Sequence, residues 1–325
     1  MSHLHQFPEG PFILNVLKPS ELTSSRVVNH FKWVLPKGNK IGHFGTLDPF
    51  ASGVLMLGIS GASKLNDFVH EFLPKSYLAL GKLGLKTDSG DITGQIISEE
   101  GPVETGYSKR ELQDSFREKF LGDYWQVPPA FSAVKYQGKA LYKWAREGIF
   151  IKKDPVLRHL YSLDVLSVRG PFVLFRVKVS SGTYIRTLFE DMAELMGQTG
   201  TLVSLIRESV GDISIKNSLR PKHWPLKGKK LEQIGEAVKN SSLLKMDKVV
   251  PFKKAFLSSS IALDYSNGKK ISLENVLKWE DSSLSLPSSN VWILNEKGRL
   301  LGLSKIDQNY FLPHFNLPPK NNFCS

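Results

Sequence analysis

The stretch Gly42-His43-Phe44-Gly45-Thr46-Leu47-Asp48-Pro49-Phe50-Ala51-Ser52-Gly53 decides how the rest of the chain is read. Its glycines let backbone approach a ligand closely and adopt positive φ angles. Pro49 disfavours helical angles at Asp48, so the carboxylate is expected on a stiff, extended loop rather than inside a helix. An acid held in that way suits a nucleophile or an electrostatic stabiliser. An ordinary turn in which Asp48 bonds its own backbone is the plainer alternative. A phosphate-binding P-loop is excluded, because no Gly-Lys-Ser/Thr element is present.

Before this stretch, residues 12–17 (FILNVL) predict a short buried strand. A helix follows, with Ser24 as its cap and Val27, Phe31 and Val34 at helical spacing, and Pro36 ends it. Gly42, Gly45, Gly53 and Gly58 read together as one loop. Beyond it, Tyr77 to Leu85 suggests a strand, weakened by Gly81 and Gly84. Ser108 and Glu111 form a capping box for a helix over 108–120, with Leu112, Phe116 and Phe120 as its apolar stripe. Val173, Phe175, Val177 and Val179 alternate with polar or exposed positions as in a half-buried strand. A helix begins near Tyr184, with Ile185, Leu188, Met192 and Leu195 on one face. Strands and helices mix without strict alternation, which predicts an α+β fold rather than a doubly wound parallel sheet.

Around residue 240 the texture changes. The lysine-rich stretch from Lys227 to Lys248 gives way to serine-rich segments and short strands. Val291–Leu294 and Leu300–Lys305 flank a turn containing Gly298 and read as a hairpin. The predicted organisation is a domain over 12–245, a small β-rich domain over 250–312, and a loose tail over 313–325.

The 325 residues carry 43 Lys plus Arg against 31 Asp plus Glu, a net charge of +12. That excess favours a polyanionic partner, because each cation that neutralises a phosphate releases condensed counterions. The single cysteine, Cys324, permits no internal disulfide and points to a reducing cytoplasm. The opening MSHLHQFPEG lacks a signal peptide's apolar stretch, and no run approaches the ~20 residues of a membrane span. A soluble, cytoplasmic protein without membrane association is expected.

The string GHFGTLDPFASGVL resembles the signature G-H-x-G-T-L-D-P-x-A-[ST]-G-x-L of the TruB family of tRNA pseudouridine synthases. Lys18-Pro19 and Lys75-Ser76-Tyr77 are similar to the family's K-P and K-x-Y elements. Gln126, Pro128, Pro129, Ser132, Ala133, Lys135, Gly138, Tyr142, Ala145, Arg146 and Gly148 fall on its Q-x-P-P-x-x-S-A-x-K pattern and the continuation of that pattern. Gly182-Thr183-Tyr184-Ile185-Arg186 resembles G-T-Y-I-R, and Leu205 with Arg207 resembles L-x-R. The likeness runs from about residue 12 to 215 and is loose after about 245. Two departures are Leu17, where the family usually has an acidic residue, and Ile206, where it usually has an arginine.

The resemblance implies a pseudouridine-synthase fold, a mixed or antiparallel sheet flanked by helices, with a small PUA-like β-rich domain at the C-terminus. It implies a uridine-to-pseudouridine isomerase acting at position 55 in the T-arm of tRNA, a reaction that needs no metal, nucleotide or redox cofactor. It implies Asp48 as nucleophile, Arg186 as its partner, and Tyr77 stacked on a flipped base with a role in proton movement. His43 would fill the space the base vacates, with Tyr184 and Leu205 as further walls. Residues 126–150 would form an RNA-clamping insert, in which lysines and arginines mix with Tyr136, Tyr142 and Trp144. A stand-alone monomer without an obligatory protein partner is expected, since long charged tails are lacking. Spacing alone offers Arg186 another partner, Glu190, four residues on. Two other functions compete: a non-catalytic tRNA-binding or RNA-folding module, and a hydrolase using Asp48 with His43.

Overall fold

A computed structural model describes residues 11–33, 40–100, 106–224, 242–282 and 289–317. The expectations at Val34 and Pro36, most of the lysine-rich stretch, and the tail from 318 with Cys324 fall outside these residues.

Strand β1 (Phe12–Lys18) leads through helix α1 (Ser24–Lys32) to the short β2 (Ile41–His43) and to β3 (Ser52–Ile59). Helix α2 (Asn66–Phe72) precedes β4 (Lys75–Leu83), and β5 (Leu85–Thr87) pairs with β6 (Ile96–Glu99). Helix α3 (Lys109–Phe120) and β7 (Gly122–Gln126) come next, then the small pair β8 (Lys135–Tyr136) and β9 (Lys139–Ala140) with helix α4 (Leu141–Ala145). Strands β10 (Val156–Arg169) and β11 (Phe172–Val179), helix α5 (Ile185–Leu195), β12 (Gly200–Val210), β13 (Ile213–Ser214), β14 (Leu243–Leu244) and helix α6 (Met246–Val249) complete this part.

The main sheet runs β14-β1-β3-β12-β4-β11-β10-β7, with β2 added to β3 and β13 to β12. Its neighbours are antiparallel except β3 and β12, which run parallel through Ser52 opposite Ile206 and Gly53 opposite Arg207. The architecture is α+β, as the mixed pattern of elements predicts.

Local chemistry accounts for the two helices that matter most. Ser108 and Glu111 form the expected capping box on α3, and Leu112, Phe116 and Phe120 are buried beneath it. Helix α5 lies close on the sheet because two facing positions lack side chains. A Cβ on Gly81 would stand 2.1 Å from the Phe189 ring, and one on Gly200 would stand 2.6 Å from Ala193 Cβ. Gly81 therefore does not weaken its strand; it admits the helix. Phe189 stacks on Phe175 at 5.8 Å and is fully buried, so it has nowhere to retreat. Gly81→Ala is expected to cost about 1–3 kcal/mol through overpacking, measured as a fall in denaturant midpoint. An unchanged midpoint would show that α5 can lift off the sheet without penalty.

The C-terminal unit contains β15 (Lys253–Leu257), helix α7 (Ser259–Ser266), β16 (Ile271–Ser272), β17 (Val276–Glu280), β18 (Asn290–Asn295), β19 (Leu300–Asp307) and β20 (Tyr310–Asn316). Its sheet order is β16-β20-β19-β18-β15-β17, and β18–β19 is the expected hairpin. The two sheets share apolar packing. Phe252, Trp292, Leu303, Phe315 and Leu317 join Val54, Met56, Leu65, Val69 and Leu73 in one buried cluster.

Three details depart from the sequence reading. The cap of α1 is Thr23, whose side chain accepts from Arg26 N, and Ser24 is the first helical residue. Gly53 and Gly58 lie within β3 rather than in a loop. The last strand continues through Pro313 and His314 to Asn316, so the segment expected to be a tail begins inside the sheet. Pro313 sits at an irregularity in the β19–β20 ladder, where a missing N–H is tolerated. Among the described residues, no helix is long and apolar enough to cross a membrane.

Candidate active site

The loop from Phe44 to Ala51 connects β2 to β3 and is held by buried groups on three sides. Ser24 Oγ accepts from Leu47 N at 2.9 Å and donates to Leu47 O at 3.2 Å. Lys18, fully buried at the end of β1, donates from Nζ to the carbonyls of Pro19, Leu22 and Pro49. Arg207, on β12, donates from Nε to Val54 O at 2.8 Å and from Nη2 to Gly45 O at 3.1 Å. Gly53 makes this last brace attainable. Its φ is +120°, and a Cβ there would lie 2.3 Å from Arg207 O. Seven backbone carbonyls and amides in and beside the loop are thus tied to buried side chains, which fixes the backbone under the carboxylate.

Asp48 itself is part-exposed, its side chain 35% accessible, while the Arg186 side chain opposite is 3% accessible. Arg186 Nε stands 2.9 Å from Asp48 Oδ2. The guanidinium also donates from Nη2 to Phe131 O at 2.9 Å and from Nη1 to Ser89 O, and Asp91 Oδ2 lies 3.7 Å away. One side chain therefore joins the Asp48 loop, the 87–91 turn and the 126–150 segment. The pair with Glu190 that four-residue spacing allows does not form; burial instead pushes the Glu190 carboxyl up to about 7.

Helix α5 must start at the right place for Arg186 to reach Asp48. Its first turn follows Tyr184, which offers no capping oxygen. Gln126, at the end of β7, instead clamps the backbone of that residue. Its Oε1 accepts from Tyr184 N at 2.8 Å and its Nε2 donates to Tyr184 O at 2.9 Å. The Tyr184 phenol is pushed up by burial, and it feels the charges of both Asp48 and Arg186, so it stands in the same site.

Tyr77 and Leu205 are buried in one cluster with Leu47, Ala51 and Ile185. Tyr77 lies on β4 opposite Arg207, two places along from the pairing of Ala79 with Leu205. His43 is on the other side of the loop, at the end of β2. Burial and the Arg207 charge hold it below the usual histidine range, and its Nδ1 is buried without a hydrogen-bond partner. Of the six predicted side chains, Arg186 and Tyr184 interact with Asp48, Tyr77 and Leu205 belong to the buried cluster that takes in Leu47 and Ala51 of its loop, and His43 ends the strand that leads into that loop. Gln126, Asp91, Lys18, Ser24 and Arg207 were not singled out for this site by sequence. Gln126, Lys18 and Arg207 stand in the motifs quoted above, whereas Asp91 has only the crowded turn Asp88-Ser89-Gly90-Asp91 to mark it.

The family described as TruB family pseudouridylate synthase (N terminal domain) matches residues 32–185. The "tRNA pseudouridine synthase B" of Thermotoga maritima is 36% identical over 304 residues, covering 91% of this chain and 90% of its own length. The protein of that name from Thermosipho melanesiensis is 35% identical over 305 residues and covers 94% of each chain. Among solved structures, a chain of a Cbf5-Nop10-Gar1 complex superposes with a TM-score of 0.67 at 22% identity, over 94% of this chain and 84% of that one, a likeness of fold. With relatives of that identity along nine-tenths of its length, the chain belongs to the TruB family of pseudouridylate synthases.

Proposed function

We propose that the protein isomerises a uridine in the T-loop of tRNA, at position 55, with Asp48 as nucleophile. The isomerisation breaks the bond between C1′ and N1 of uracil, rotates the base, and forms a bond from C1′ to C5. The C5 proton leaves and N1 gains one, so atoms and electrons balance without an added reactant.

The observation that carries this reading is the Asp48–Arg186 pair at 2.9 Å. The planar guanidinium holds the carboxylate in a fixed orientation. The carboxylate keeps an open side, while its partner is sealed from water. Tyr77 stacks on the extruded base and assists proton movement; Tyr184 and Leu205 complete the walls. His43, held neutral, occupies the space that the base leaves. Flipping the base costs a few kcal/mol, which these contacts offset. Residues 126–150 grip the RNA, where Lys139 lies 4.1 Å from the Trp144 ring centre and the Arg146 guanidinium lies 5.4 Å from that of Tyr142.

Incubating purified protein with unmodified tRNA transcript and no added cofactor, then mapping pseudouridine, tests the proposal. Product at the T-loop uridine is expected; product only elsewhere would overturn the assigned position. Binding is expected to fall linearly on a log–log salt plot. With about four phosphate contacts it drops roughly a hundredfold between 50 and 200 mM salt. A flat plot would mean that the +12 charge is not used on RNA.

A further inference from the structure

Beside the loop that carries Asp48 lies a group of basic side chains, Lys75, His70 and Arg207. Lys75, at the start of β4, is 4% exposed and donates from Nζ to Ser181 Oγ. His70, on α2, holds the same hydroxyl through Nδ1 at 2.8 Å. Arg207, 1% exposed, turns its donors to backbone carbonyls. Among the described residues, neither Lys75 nor Arg207 forms an ion pair with a carboxylate.

The group converges on one point. The position a Cβ would take on Gly45 is 3.7 Å from His70 Cε1, 3.7 Å from Lys75 Cε and 3.8 Å from Arg207 Nη1. No side chain fills that position, and Gly45, His70, Ser181 and His43 all keep some exposure to solvent. A glycine bordered by a lysine, an arginine and an imidazole lets an anion approach from the solvent side without meeting a side chain at that position.

We propose that the space over Gly45 is a phosphate site that seats a backbone phosphate of the substrate RNA next to the nucleotide delivered to Asp48. The inference rests on the reading of the substrate as RNA and adds where its backbone is held. Its physical basis is charge balance. A buried cation costs free energy unless it is paired, and the cost is visible in the free protein. Burial, then Arg207, holds Lys75 down to about 7. Burial, Lys75, Arg207 and His43 lower His70, and of the charges acting on it only Asp67 is negative. An arriving phosphate reverses that penalty and keeps Lys75 protonated. Ser181, already shared between Lys75 and His70, can turn its hydroxyl hydrogen to a phosphate oxygen. The site therefore works as an electrostatic register, fixing the RNA backbone while the base enters the pocket.

The test pairs a protein change with a single-linkage RNA change. Substrate RNAs would carry one neutral methylphosphonate at each linkage flanking the target uridine, and Lys75→Gln would be compared with the unchanged protein. For the unchanged protein, one linkage is expected to lose about tenfold in affinity, and the salt slope there to fall by about one. Lys75→Gln should bind all-phosphate RNA about tenfold more weakly, raise KM with kcat little changed, and lose nothing further at that linkage, a non-additivity that reports direct contact. His70→Gln, at a half-buried position, carries the same measurement if Lys75→Gln loses its cooperative thermal transition. Additive losses at every linkage, or an unchanged protein indifferent to all of them, would overturn the site, including the outcome that it holds only free phosphate. Failure of the unchanged protein to bind or modify all-phosphate RNA would instead strike the functional reading beneath it.

Discussion

Asp48→Asn will reduce pseudouridine formation by at least ~10⁴-fold, the scale seen when a covalent nucleophile is removed, while the protein stays folded and still binds RNA. The reasons lie in the geometry. The amide keeps the shape of the carboxylate but cannot attack carbon. The loop does not depend on the Asp48 side chain, because Ser24, Lys18 and Arg207 hold its backbone. Nor is Arg186 stranded, since it keeps Ser89 O and Phe131 O, with Asp91 nearby. Single-turnover mapping of pseudouridine, with a filter-binding isotherm beside it, separates the two effects. Substantial turnover by Asp48→Asn would remove the nucleophile assignment.

Arg186→Ala is expected to damage both chemistry and stability. The side chain is sealed from water and joins three segments that are distant in sequence. Removing one partner of a buried charged network typically costs about 3–5 kcal/mol. For a protein of this size that corresponds to a fall in Tm of roughly 10 °C. Arg186→Lys should recover little activity, because a point charge cannot span Asp48 and two carbonyls as the planar guanidinium does. Calorimetry and a single-turnover assay on both variants supply the check. A fully active lysine variant would show that charge alone, rather than the fork of donors, is required.

Much of this site was legible because its chemistry is concentrated in short strings. Asp48, Tyr77 and Arg186 stand out through the family motifs that hold them, whereas spacing alone offered an ordinary turn for Asp48 and Glu190 as the partner of Arg186. What escaped notice is what holds them. Lys18, Gln126 and Arg207 stand in the motif strings, yet their partners are backbone groups of other segments, which no periodicity records. Ser24 was read as a cap because Thr23 and Ser24 are both capping types; only the fold shows that Thr23 caps and Ser24 braces Leu47. Gly53 and Gly58 looked like loop residues, but each is small to admit a neighbour, Arg207 backbone in one case and the Phe44 ring in the other. The segment expected as a tail begins in the sheet, with Pro313 at a ladder irregularity, one of the strand positions that accept proline.

The brace from Arg207 to Gly45 spans 162 residues. On the ribosome, the aspartate emerges long before the arginine that steadies its bend, and a chain halted anywhere between them would carry Asp48 on a loop without that brace. Closing so distant a contact also slows folding, since the entropy of the intervening loop is lost before the bond is gained. The bend that carries Asp48 is therefore fixed only once residue 207 has been made.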